Sequence, residues 1–271
     1  MILLAFLASV TIPLPTPKSW QVPPTGRAPA KPSGPPADSG VRYQACLDQV
    51  KTDPAGAVLA ADHWRINGGG WGASQCLGLA YVAQNRWGPA EASFEQAAQD
   101  AEQKGDGRAA NLWVQAGNAA LAASDPAKAR MALDRAIALP VLDGLMKGEA
   151  WMDRARADVA LGDLPTARGD LDKAIALAPA DPMGWLLSAT LDRRQHDLPR
   201  AAKDIAEART RAPTDPDVAL EAGNIAAAAG DAAKARVEWQ HAHDADPNGD
   251  TGREAAALLD AQPPALPTPG K

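Results

Sequence analysis

The chain is poor in aromatic residues other than tryptophan, with two phenylalanines and two tyrosines against eight tryptophans in 271 residues. Histidine is scarce as well. Of the four, His241 and His243, followed by Asp244, point about 200° apart on a helix and so share no face for a metal. His63 and His196 stand alone, without a nucleophile and an oriented base beside them. Gly68-Gly69-Gly70 opens into helical sequence but lacks the Lys-Ser or Lys-Thr of a phosphate loop, so it reads as a hinge or turn. Nothing here points to enzymatic activity, a cofactor or a metal. A basic excess is also missing: the formal charge is −6, and no basic stripe with interleaved aromatics is present to neutralise a nucleic-acid backbone. No β-strand alternation is evident between residues 41 and 262, and no apolar run is long enough to predict a stable membrane span.

What the chain does have is a pattern returning every 34 residues, clearest between Met146 and Pro247. Ala155, Ala189 and Gly223 fall at that spacing, as do Ala167, Ala201 and Ala235, then Ala174, Ala208 and Ala242, then Pro179, Pro213 and Pro247. Two short insertions, at 105–109 and 144–147, carry the register back to Gly117, Ala129, Leu133 and Ala136, and to Gly78, Tyr81, Ala90, Phe94 and Ala97. Five repeats result, at about 71–104, 110–143, 148–181, 182–215 and 216–249. A helix-compatible period of this length predicts stacked helix-turn-helix units, each burying its apolar face against its neighbours. Small residues at Gly117, Ala155, Ala189 and Gly223 on one helix, and at Ala129, Ala167, Ala201 and Ala235 on the next, allow the two backbones to approach. Trp151, Leu171 and Trp185 fill the space beside the crossing. Asp125-Pro126, Asp181-Pro182 and Asp215-Pro216 read as helix starts, and Gly162-Asp163 and Gly230-Asp231 as turns.

On these residues the chain resembles the tetratricopeptide repeat family, whose pattern sets a Trp-Leu-Gly-Tyr series on the first helix and Ala-Phe-Ala-Pro on the second. The first repeat matches with Leu77, Gly78, Tyr81, Ala90, Phe94 and Ala97. Trp113, Trp151 and Trp185 take the Trp place, and Leu133, Leu171, Ile205 and Trp239 stand in for Phe. Asp158 and Asp192 occupy the Tyr place, Arg154 and Ser188 the Leu place, which predicts looser packing in the third and fourth repeats. The resemblance covers about 180 of 271 residues and implies an all-α, right-handed helix-turn-helix solenoid of about five repeats. An N-terminal helical hairpin over 41–67, with Asp53-Pro54 starting its second member, and a capping helix at 251–262 complete the domain at 41–262.

Both ends are rich in proline, nine between Pro13 and Pro36 and four between Pro263 and Pro269, so 13–40 reads as a disordered linker and 263–271 as a disordered tail. Residues 1–12 begin with an apolar run, Met1 to Val10, of signal-peptide length. It has no preceding Lys or Arg and no clean cleavage site, and no cysteine stands near it to carry a lipid anchor. Export to a periplasmic or other envelope compartment is the expectation, and a cytoplasmic location follows if the segment is not a signal. Cys46 and Cys76 lie 30 residues apart, about one repeat. They form either a disulfide tying the cap to the first repeat or two buried apolar thiols.

The resemblance implies a concave groove lined by the first helix of each repeat, where Asn or basic groups hold an extended peptide. Those faces place Gln75, Asn111, Asn118, Arg156, Arg193, Arg194 and Asn224 as candidate peptide-binding residues. Asn118 and Asn224 follow the small glycine directly and Arg156 takes the same place between them, forming a polar ladder. Asn can donate to and accept from a peptide bond, and Arg can fork onto a carboxylate. The same groups are also compatible with an ordinary solvated face, paired with Asp158 and Asp192. The expected function is a scaffold or adaptor binding a protein or peptide segment. The alternative is a structural envelope component that self-associates as a homo-oligomer and carries no groove ligand.

Overall fold

The computed structural model describes residues 38–261, which are helical throughout apart from short turns. The apolar segment 1–12, the proline-rich stretch up to residue 37 and the tail from 262 lie outside the described residues. The first hairpin is α1 (Asp38–Thr52) and α2 (Pro54–Trp64). The repeats follow as α3 (Gly70–Val82) with α4 (Trp87–Gln103), α5 (Ala109–Ala122) with α6 (Pro126–Ala138), and α7 (Gly144–Leu161) with α8 (Leu164–Leu177). They continue with α9 (Pro182–Arg194) and α10 (Leu198–Arg211), then α11 (Pro216–Ala228) and α12 (Ala232–Ala245), and close on α13 (Asp250–Ala261). The linker boundary moves by three residues, since α1 takes Asp38, Ser39 and Gly40. The insertion at 144–147 is not a loop: it becomes the first turn of α7, which reaches 18 residues.

Helix boundaries follow from local chemistry. Asp125, Asp181 and Asp215 each accept a backbone N–H of the first turn, from Lys128, Met183 and Asp217, with proline in the first turn where no N–H is needed. Asp53, Asp163, Asp197 and Asp231 cap their helices in the same way. Gly162 and Gly230 end α7 and α11 at φ of 80° and 81°, where a Cβ would be strained. Between α2 and α3 the chain passes through a π-helical turn, Arg65–Gly69, that breaks at Gly68 (φ 86°). Gly68-Gly69-Gly70 thus forms the joint between the N-terminal hairpin and the repeats.

Each helix packs on the next in sequence, and the odd-numbered helices also pack on one another, α5 on α7, α7 on α9, α9 on α11 and α11 on α13. Contacts among the even-numbered helices are weaker than any of these. The stack therefore closes more tightly on its odd-helix side, which makes that side the inner face. Within a repeat the small-on-large rule holds. A Cβ on Gly78 would lie 2.6 Å from the Phe94 ring, and one on Gly117 would lie 2.6 Å from Leu133 Cγ. Phe94, Leu133, Leu171 and Trp239 are almost wholly buried there, each worth about 1.5–3 kcal/mol of transfer free energy.

The third and fourth repeats are not loosely packed. Asp158, Asp192 and Ser188 are buried as completely as the apolar residues they replace. Arg154 forks onto Asp170 at 2.6 and 2.8 Å and reaches Asp134 at 2.5 Å. The Ser188 hydroxyl donates to Asp204. Arg130 stands 3.3 Å from Asp158, and Arg168 and Arg200 stand 3.1 and 3.4 Å from Asp192. A charged layer has replaced the Leu and Tyr of the repeat pattern, filling the volume and crossing from one repeat to the next. It is incompletely matched, because both Asp158 oxygens and one Asp192 oxygen accept no hydrogen bond. Burial accordingly pushes the Asp158 carboxyl up to about 6, with Arg130 opposing and Asp170 adding to the rise. Asp192 is raised by burial too, against Arg168 and Arg200.

Cys46 on α1 and Cys76 on α3 form a disulfide, with Cα atoms 6.3 Å apart. It is buried beside Ala61 and Leu77, with Tyr43 and Tyr81 packed against the same cluster. The bridge spans the glycine joint and fixes the hairpin on the first repeat.

Two expectations arise from this architecture. The folded chain holds the Asp158 proton more tightly than the unfolded chain does, so this carboxyl favours folding in acid and loses that contribution as pH rises through about 6. Asp158→Asn keeps the shape and removes the charge, while Arg130 retains Asp163 at 3.4 Å. Its melting temperature at neutral pH should exceed that of the native chain by roughly 4–8 °C, on the order of 2 kcal/mol for a unit of this size, and the gap should close towards about pH 4. A lower melting temperature at neutral pH, or a gap independent of pH, contradicts this account. For the disulfide, Cys46→Ser/Cys76→Ser should cost up to about 3–4 kcal/mol of local stability. Hydrogen exchange should quicken in α1 and α2 while α9 to α12 keep their native protection; uniform loss along the stack would show that the bridge does not act on the cap alone.

Candidate functional site

The inner face is built from side chains at i, i+3 or i+4 and i+7 on each odd-numbered helix, which share one side. On α5 these are Asn111, Val114 and Asn118, on α7 Met152, Arg156 and Val159, and on α9 Leu186, Thr190 and Arg193. The polar groups are largely occupied by one another. Gln75 accepts the Tyr43 hydroxyl at 2.7 Å and donates to Gln115 at 3.1 Å, which stitches α1, α3 and α5 together. Asn111 is half-buried on the first turn of α5.

Asn118 and Arg156 converge on Asp153. Arg156 donates to it at 3.1 Å, and the Asn118 amide hydrogen-bonds to it. Burial raises the Asp153 pKa, and both neighbours hold it down. The Asn118 oxygen is buried and accepts no hydrogen bond. Further along, Arg193 forks onto Glu221 at 2.6 and 3.1 Å, joining α9 to α11. Arg194 beside it is exposed. Its pKa is lowered by desolvation and by Arg193, with Glu221 opposing. At the C-terminal end Glu254 on α13 is raised, by burial first and then by Glu221 and Asp217.

This geometry revises the ladder. Asn118 and Arg156 belong to one cluster, but Asn224 does not extend it: its oxygen accepts the Trp239 indole N–H at 3.0 Å, inside the packing of α11 on α12. The arginines of the inner face pair with Asp153 and Glu221, not with Asp158 and Asp192, which are held by Arg130, Arg168 and Arg200 of the even-numbered helices. The residues that sequence reasoning overlooked are Gln115, Asp153 and Glu221. They share one column of the repeat: Asp153, Leu187 and Glu221 recur at 34 residues, and Gln115 joins them once the four-residue insertion is counted. That column faces the previous repeat, and reading it beside Asn118 and Arg156 would have disclosed the partners. His241 lies 3.6 Å from Glu238, and His243 faces the Gly252 carbonyl at 3.1 Å, so the two rings serve different contacts.

No family model matches the chain, and no curated protein matches it. Solved structures do. PilW, described as a widely conserved type IV pilus biogenesis factor, aligns at 18% identity over 81% of this chain and 99% of its own, with a TM-score of 0.67. PilF of Pseudomonas aeruginosa aligns at 14% identity over 81% of this chain and 97% of its own, with a TM-score of 0.62. YrrB, described as a TPR protein with an unusual peptide-binding site, aligns at 17% identity over 80% of this chain and 98% of its own, with a TM-score of 0.50. At such identities the likeness speaks for architecture. Together with the 34-residue pattern and the helix-pair packing, it establishes that the chain is folded as an all-α tetratricopeptide repeat solenoid.

Proposed function

We propose that the chain is a non-enzymatic scaffold that holds a protein segment along the inner face of its odd-numbered helices. The observation that carries this reading is the Asn118–Asp153–Arg156 cluster, polar groups held by mutual bonds between two repeats, with a buried Asn118 oxygen left unmatched. Half-buried Leu79, Val114 and Val159 supply apolar contact beside it. A segment lying there gains that contact beside the polar cluster. YrrB, a protein of like fold, is described as binding peptide. Gln75 and Arg193 hold neighbouring repeats in register and Asn224 holds α11 on α12 within its own repeat, while Asn111 and Arg194 remain the outlying polar groups of the surface.

The reading extends to location. A buried disulfide is kept in an oxidising compartment, and residues 1–12 have the composition of an export signal. We infer that the protein acts in the cell envelope.

Affinity capture with the full chain from its source cells tests the first reading, run beside Asn118→Ala/Arg156→Ala protein shown by circular dichroism to be folded. A partner held by the native chain should bind the variant at least about tenfold more weakly, the loss expected when a charged hydrogen bond and its neighbour are removed. Equal retention overturns groove recognition. The self-associating alternative then requires a solution mass above that of one chain in light scattering, unchanged by the double substitution.

A further inference from the structure

The even-numbered helices leave a second surface that the inner face does not use. Between α4 and α6 a cleft of about 560 Å³ opens over the floor of α5. Glu91, Glu95, Gln99 and Glu102 form one wall at helical spacing along α4; Lys128, Met131, Ala132 and Arg135 form the other on α6. The floor is Trp113 and Ala116. Lys128 pairs with Glu91 at 2.9 Å and Arg135 with Glu102 at 3.1 Å, first residue to first and last to last. These two ion pairs mark the ends of the cleft, and the Trp113 indole N–H adds a bond to Glu102 at 3.0 Å.

The middle lacks a positive charge. Glu91 and Glu95 lie close together and share one ammonium, that of Lys128, which is bonded to Glu91. Glu95 accepts the neutral Gln99 amide at 2.9 Å and is hydrogen-bonded to Glu91, with no cation bonded to it directly. Its carboxyl is raised by burial and then by Glu91, so its negative charge is held at a cost that a cation would relieve. Opposite it stand Met131, two-thirds exposed, and Ala132. The other junctions are closed by the protein's own arginines: Arg130 reaches Asp158 and Asp163, Arg200 reaches Asp172, and Arg209 forks onto Glu238 in a smaller cleft of about 210 Å³. In the α4–α6 cleft Arg135 is engaged with Glu102 at one end, and Glu95 in the middle faces the apolar wall without an arginine partner.

We propose that the cleft between α4 and α6 is a docking site for a lysine or arginine side chain of a partner protein. The guest's aliphatic stem lies on Trp113, Met131 and Ala132, and its charged head meets Glu95 and the Trp113 ring. The site supplies a negative group and an aromatic face together, which fits a long cationic side chain and excludes an acidic one. It is independent of inner-face recognition.

The test uses the full chain and blocked pentapeptides, acetyl-Ala-Leu-Lys-Leu-Ala-amide and the same peptide with Gln for Lys, followed by NMR of the methionine methyls and tryptophan indoles. Met131→Leu assigns the Met131 signal. The lysine peptide should shift Met131 and Trp113, with the glutamine peptide about tenfold weaker. Glu95→Gln, an isosteric change on a half-buried side chain, should lower the lysine peptide to the glutamine level. Gln99→Lys, which supplies the missing cation from within, should do the same. The proposal is overturned if the two peptides bind alike, if Glu95→Gln binds as the native chain does, if shifts gather at Met152 of the inner face, or if no shift is seen.

Discussion

The contact on which the whole stack rests is the crossing of two helices at a residue without room for a side chain. At Gly78 and Gly117 a single added carbon would collide with Phe94 and Leu133, so each crossing distance is set by a glycine facing a large apolar group. Gly223 repeats the arrangement beneath Trp239, and Ala155 and Ala189 provide the next smallest choice in between. With that distance fixed, the second helix of a repeat presents a constant surface to the first helix of the next. The 34-residue period is the sequence record of this mechanical requirement.

Once the crossings are secure, the positions beside them are free to vary in chemistry so long as they are filled. The third and fourth repeats fill them with charge. Arg154 bound to Asp170, and Asp158 and Asp192 held by arginines of the even-numbered helices, occupy the space of a leucine and a tyrosine. Buried ion pairs seldom exceed apolar packing in stability because each charge must leave water. The Asp158 and Asp192 oxygens that face an arginine without a hydrogen bond recover only part of that cost. What the layer adds is directional: an arginine fork accepts one register of carboxylate, whereas apolar surfaces tolerate sliding. The charged layer lies in the middle of the array, where a slip would misalign the repeats on both sides.

Legibility in the sequence follows the range of the interaction. Helix starts at Asp125, Asp181 and Asp215 and stops at Gly162 and Gly230 depend on neighbours within one turn, and they stand where the sequence placed them. The period, which depends on identical packing in every repeat, was equally plain. Asp158 and Asp192 misled because a polar residue in an apolar column suggests a gap, and its partner Arg130 or Arg168 lies on a different helix, 28 or 24 residues away. Asn224 misled for a related reason. Its place in the repeat resembles that of Asn118, but a tryptophan at 239 puts an indole N–H within its reach, where the second repeat has only the carbons of Leu133. Inter-repeat pairs read poorly because their spacing is a property of the stack, not of the motif.

The two surfaces of the array differ in what a ligand must displace. On the inner face the charges already satisfy each other, Arg156 with Asp153 and Arg193 with Glu221. A guest that engages either arginine must loosen a bond joining a partly buried pair, so charge alone gives it little net gain. Recognition there is better served by shape and by the half-buried apolar side chains of Leu79, Val114 and Val159. In the cleft between α4 and α6 the balance is reversed, because Glu95 has no cation of its own and a guest would complete a charge set without breaking one. The same repeat geometry thus yields one face that selects by contour and another that selects by charge. The difference arises from which residues the chain spends on holding its own repeats together.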